Sequence, residues 1–249
     1  MSSSCDMYRI YPLLEGIDIM DKLEEIADRI RQNFDIRTKM REQALARARQ
    51  LTRACSLSIR AVHRDDEEGL EQHLTEARTL ADKLRSDLVN YPGLYYAGYT
   101  QDALKEFVEA SVTCALIQKQ ALPTPGELIV EDATYLNGLA EVVGELRRRT
   151  LDILRHGYSQ EAERLLGHMD DIYAVLVTMD YPDAITNNLR RQTDLARGII
   201  EKTRGDVTQS LRGEHLTRAI QRLSGQLNGG KAEVDESSGI PIQLNNEDD

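Results

Sequence analysis

The chain is written in the 3.6-residue period almost from end to end. From Ile17 the apolar positions Ile19, Leu23, Ile26 and Ile30 return at helical spacing and predict a first helix to about Gln32. Asp35 then supplies a cap for a second, longer helix to about Arg64, with Ala44, Leu51, Ala54, Cys55, Leu57, Ile59 and Val62 as its apolar faces. Asp65 to Glu68 place negative charge at the start of a third helix, where the macrodipole favours it. Its Leu70, Leu74, Ala77, Ala81, Leu84 and Leu88 form the seam of a bundle helix, which Tyr91-Pro92-Gly93 ends. A fourth helix runs from Tyr99 to about Ala121, closed by Pro123 and Pro125-Gly126. Asp132 opens a fifth, with Leu136, Leu139, Val143, Leu146 and Leu154 inward and Gly157 just past its end. Ser159 caps a sixth, whose stripe of Ala162, Leu165, Leu166, Met169, Ile172 and Leu176 is broken by Tyr181-Pro182. The seventh extends from about Ile185 to Leu211 and stops at Gly213. Alternation of period two never persists, so the predicted class is all-α, a seven-helix bundle.

The organisation that follows is a flexible arm over 1–14, one helical domain over 15–213, a short extra helix within 214–228, and an acidic tail over 229–249. From Lys231 onward the tail has six acids against one Lys, a composition expected to stay disordered. Trp is absent and Phe occurs twice in 249 residues, so the core must be aliphatic, which suits helices. The net charge of −11 argues against a uniformly basic nucleic-acid binder and against an anionic membrane as partner. Cys5, Cys55 and Cys114 form no C-x-x-C pair, pointing to a reducing, cytoplasmic compartment. No apolar run reaches membrane-span length, and the start of the chain lacks the layout of a signal peptide.

Charge is distributed unevenly within this frame. On the fourth helix Asp102, Glu106 and Glu109 fall at i, i+4 and i+7, on one face, while Leu104, Phe107, Val108 and Val112 build the other. Like charges at that spacing repel, and a divalent cation would compensate them; with Lys105 and Lys119 nearby, a solvated face is the other reading. A second acidic pair, Glu141 and Glu145, follows on the fifth helix, next to Arg147, Arg148 and Arg149. The second helix carries eight Lys or Arg against Asp35 and Glu42. Arg49, Arg53, Arg60 and Arg64, spaced by 4, 7 and 4, make a stripe that either tracks a phosphate backbone or is a solvated face. No Glu stands three before any of His63, His73, His156, His168 or His215, which excludes a di-iron bundle; the histidines read as surface or helix-end residues. There is no Gly-rich nucleotide loop, and nothing local supports a Ser-His-Asp triad.

Three stretches taken together, Tyr91 to Tyr99, Leu104 to Ala110 and Tyr135 to Glu145, resemble the translin family, and within it the TRAX (translin-associated factor X) branch and its archaeal members. The likeness spans roughly residues 17–213. It implies a seven-helix protomer of a closed, hollow octamer that binds single-stranded RNA or DNA, and, in the TRAX branch, an interior metal-dependent endoribonuclease site. Position by position, the resemblance assigns Glu106, Glu109, Glu141 and Glu145 to Mg²⁺ or Mn²⁺, with Glu106, Glu109 and Glu141 catalytic. Translin-type subunits lack the Glu-x-x-Glu pair, so this chain looks like a catalytic subunit, in a homo-oligomer or beside a translin-like partner. Glu141 stands where the TRAX branch has Asp, one methylene shorter. Arg148 and the stripe Arg49, Arg53, Arg60 and Arg64 are then the expected phosphate clamps. Two rival functions remain: a non-catalytic shell for single-stranded nucleic acid, and a helical protein-interaction scaffold.

Overall fold

The computed structural model describes residues 19–229, and every described element is helical. Six long helices, α1 (Ile19–His63), α2 (Glu67–Leu88), α4 (Gly98–Ile117), α6 (Asp132–Leu154), α7 (Gln160–Leu176) and α9 (Leu189–Gly229), are joined through three single turns, α3 (Pro92–Tyr95), α5 (Pro125–Leu128) and α8 (Asp183–Thr186). The expected arm over 1–14 lies outside the described residues, as does the expected tail beyond Gly229.

The largest differences from the sequence expectation lie at Asp35 and Gly213. The first two predicted helices are a single helix, α1, running straight through Asp35. An Asp in a helix interior costs only about half a kcal/mol, and without Pro or Gly nearby it does not stop propagation. Likewise Gly213 does not end α9, which absorbs residues 214–228 as its last turns. The price is an exposed apolar stripe at each free end: Leu23, Ile30 and Phe34 on α1, Leu216, Ile220 and Leu223 on α9.

Burial identifies the centre. α4 hides Ala103, Leu104, Phe107, Val108, Ala110 and Val112, and packs on α1 and α2 on one side and on α6 on the other. α6 in turn packs on α7 and α9. The α4–α6 pair is therefore the spine, and Gly138 sets its spacing. A Cβ there would lie 2.7 Å from Val108 Cβ and 2.9 Å from the Lys105 carbonyl oxygen.

The α1–α2 turn is held by Asp66, whose Oδ1 accepts the Gly69 N–H at 3.0 Å. Asp66→Ala removes this cap and is expected to destabilise the protein by about 1 kcal/mol in urea unfolding, with no change in m-value. No described helix is long and apolar enough to cross a membrane.

Candidate metal centre

Glu106 and Glu109 stand three residues apart on α4, on the face turned to α6, because Leu104, Phe107 and Val108 take up the core side. Glu141 meets them from α6, one turn beyond Gly138, whose missing Cβ lets the helix lie close against Val108 and the Lys105 carbonyl of α4. One carboxylate oxygen from each of the three lies within 4.8 Å of the others, and all three residues are half-buried. They line an open cleft of about 380 Å³ whose far wall is α9, at Gln192, Leu195 and Ala196.

The electrostatics follow from that crowding. Burial, then the charges of Glu106, Glu141 and Glu145, push the Glu109 carboxyl up to about 8. Glu106 is raised too, by burial first and then by Glu141 and Asp102. Lys105 is the local counter-charge, its Nζ 2.7 Å from Glu141 Oε1. Burial opposes the Lys105 ammonium, but the hydrogen bond and charge of Glu141, with Glu106 and Asp102, outweigh it and raise its pKa. Three crowded oxygen donors, two of them on carboxyls raised by burial and by their neighbours' charge, fit a hard divalent cation such as Mg²⁺ or Mn²⁺.

Of the four acids expected to hold the metal, three converge. Glu145 lies one turn further along α6 and is engaged elsewhere: its Oε2 is 2.6 Å from His63 Nε2 and 3.6 Å from Arg148 Nη1. The His63 hydrogen bond, and then the charges of His63 and Arg148, hold its carboxyl below the usual range. Asp102, on the same face of α4, is exposed and outside the group.

His63 ends α1, as a helix-end histidine should, yet its side chain is only 3% exposed. Its partner is 82 positions away in sequence, so no local pattern announces the pair. Lys105 was visible in the sequence as a neighbour of the acids, but its role as the cation already balancing Glu141 was not.

The four stripe arginines, Arg49, Arg53, Arg60 and Arg64, are exposed, and none pairs with a described side chain. Cys55, on the same helix, is buried close enough to Glu106 and Glu109 to feel both charges. At 3.6 residues per turn the stripe lies about 120–180° around α1 from Cys55, so within one protomer it faces away from the acids. Arg148, half-exposed beside Glu145, is the predicted clamp nearest the centre.

No family model matches the chain. An uncharacterised protein of Methanocaldococcus jannaschii is 35% identical over 186 residues, which cover 74% of this chain and 82% of that protein. Among solved structures, AfC3PO in complex with duplex RNA superposes with a TM-score of 0.69 at 33% identity, covering 77% of this chain and 97% of that one. AfC3PO in a crystal structure of its own gives 0.65 at 33% identity, over 77% and 98%. Apo-NeC3PO, at 22% identity and a TM-score of 0.68 over 74% and 96%, supports the fold alone.

Proposed function

The chain belongs to the translin family, and from that premise we propose that it binds RNA and cuts it at the Glu106, Glu109 and Glu141 centre with a divalent cation. The convergence of three half-buried carboxylates from α4 and α6 at the floor of an open cleft carries this reading. The Glu-x-x-Glu pair supports reading the chain as a member of the TRAX branch of the family. By the same resemblance it assembles into a closed hollow oligomer, an octamer of itself or a shell shared with a translin-like subunit, and the spacing of its cysteines favours a reducing, cytoplasmic compartment.

Bound by Glu106, Glu109 and Glu141, Mg²⁺ or Mn²⁺ supplies a Lewis acid for the scissile phosphate and makes a water nucleophilic at neutral pH. The chain's own groups do the rest. Glu109, held protonated near neutrality when alone, must give up its proton for the centre to form, so activity rises with pH. Lys105 keeps Glu141 turned into the cleft from the α4 side. His63 anchors Glu145, which leaves that carboxylate as a support for the centre from the next turn of α6. Arg148, exposed at the rim, draws in the backbone of the strand.

The Lys105 to Glu141 pair favours a second reading, in which lysine permanently takes the place of a cation and the shell binds without cutting. Labelled RNA, single-stranded and duplex, incubated with Mg²⁺, Mn²⁺ or chelator separates the two. Cation-dependent cutting that falls about 10²- to 10³-fold in Glu106→Gln, with RNA affinity kept within about twofold, is the expected result. Binding without cutting under every condition would leave the non-catalytic shell. Cutting at an equal rate in the duplex would move the substrate from single strands to the form of RNA seen with AfC3PO.

A further inference from the structure

A second cleft, of about 350 Å³, adjoins the acid cleft and shares Gln192 and Leu195 of α9 as a common wall. Its chemistry is different. Carboxamides dominate the lining, and Arg191 and Lys105 supply its positive charge.

Part of this lining is locked. Gln101 donates from Nε2 to the Tyr95 carbonyl at 2.8 Å and accepts at Oε1 from Thr134 Oγ1 at 2.6 Å. Asn137, only 6% exposed, donates from Nδ2 to the carbonyls of Ala133 and Thr186, each at 2.8 Å. Its Oδ1 is left as an acceptor of fixed direction in the cleft wall. Three other lining residues are uncommitted: the side chains of Asn188, Arg191 and Gln192 pair with no described residue. Asn188 itself sits at φ 63°, a left-handed position at the start of α9.

We infer that this cleft seats one unpaired ribonucleotide of the substrate, beside the phosphate presented to the acids, with Arg191 on a backbone phosphate and the carboxamides on the base edge. The inference rests on the RNA-binding reading above. A volume of this size is at the lower limit for ligand pockets and admits a single nucleotide, whereas a stacked duplex cannot enter it. Carboxamides offer both donor and acceptor in one plane, which is what the edge of a splayed-out base presents. An uncommitted guanidinium matches a phosphate, and Asp102 on the α4 wall repels one, so the anion is directed to the α9 side. Lys105 ties the two clefts together, since it lines this one while its Nζ holds Glu141 in the other.

The test is made in chelator, so that cleavage plays no part: fluorescence anisotropy of labelled single-stranded RNA and blunt duplex RNA over a salt series, with Arg191→Gln and Asn188→Gly. Glycine keeps the left-handed turn while removing the carboxamide. For Arg191→Gln, single-strand binding is expected to weaken about tenfold, with the salt slope shallower by about 0.7, one phosphate's worth. Asn188→Gly is expected to keep the slope and change the ranking of the four homopolymers. With cation restored, KM rises in both variants while kcat stays within about twofold. Wild-type binding that neither variant alters would overturn the inference and leave the nuclease reading standing, as would an equal loss on blunt duplex. A wild-type protein that binds neither RNA would remove both.

Discussion

Glu109→Gln is expected to make the cation-free protein more stable at pH 8 while depriving it of cation-dependent cleavage. The sign follows from the carboxyl being raised to about 8 in the fold from an ordinary 4.5. Below pH 4.5 both folded and unfolded chains hold the proton, and the residue costs nothing. As pH climbs toward 8 the unfolded chain releases its proton while the folded one keeps it, so stability is lost progressively and the full cost is felt above pH 8. Shared with Glu106, Glu141 and Lys105, that cost is about 2–3 kcal/mol, which corresponds to a midpoint change of about 5–10 °C in a chain of this size. Glutamine removes the titration. Thermal scans at pH 5 and pH 8 in chelator should show a wild-type midpoint that falls between the two, and a variant whose fall is largely gone. Mn²⁺ or Mg²⁺ should restore the wild type at pH 8, by mass action on the folded state, and leave the variant unmoved. Parallel curves for the two proteins would contradict the buried-acid account of the centre.

This opposition between stability and chemistry explains why the acids were readable in the sequence at all. Three carboxylates on one helical face at Asp102, Glu106 and Glu109 work against the helix that bears them, and such local conflict stands out against an otherwise consistent amphipathic pattern. The pattern could not say which of them turn inward. That depends on α6 lying against α4, and it selects Glu106 and Glu109 with Glu141 while leaving Asp102 exposed. Helix identity was legible for the same reason, through long apolar stripes. The boundaries at Asp35 and Gly213 were not, because a single Asp or Gly in a helix interior costs no more than about 1 kcal/mol, and α1 and α9 run past both. Periodicity alone does not reach pairings across long sequence separations; for Glu106, Glu109 and Glu141 only the family resemblance joined them. His63 with Glu145 exists only because the end of α1 comes to rest on α6.

Gly138 is the residue on which the centre's geometry turns, although in the sequence it was one letter of a motif. Gly138→Ala is expected to destabilise the protein and to weaken cation binding more than its position outside the carboxylate group suggests. Alanine is the better helix former by about 1 kcal/mol, so a purely local account predicts a gain. The structure predicts the reverse. The new methyl would meet Val108 Cβ at 2.7 Å, Val108 Cγ1 at 2.8 Å and the Lys105 carbonyl oxygen at 2.9 Å, and a branched Cβ and a backbone oxygen yield only if α4 moves. Overpacking of that kind costs about 1–3 kcal/mol. The displacement carries Glu106 and Glu109 away from Glu141, because the first two ride on α4 and the third on α6. Mg²⁺ tolerates little departure from octahedral geometry, so Mg²⁺-supported cleavage should fall about tenfold or more, Mn²⁺-supported cleavage less. Gly144→Ala supplies the control on the same helix, since nothing lies within 4 Å of its added carbon. That variant should gain about 0.5–1 kcal/mol in urea unfolding and keep its cation affinity. If the two substitutions stabilise alike, α4 and α6 are not held at the spacing that brings the three carboxylates together, and the centre must be positioned by something other than the bare backbone at 138.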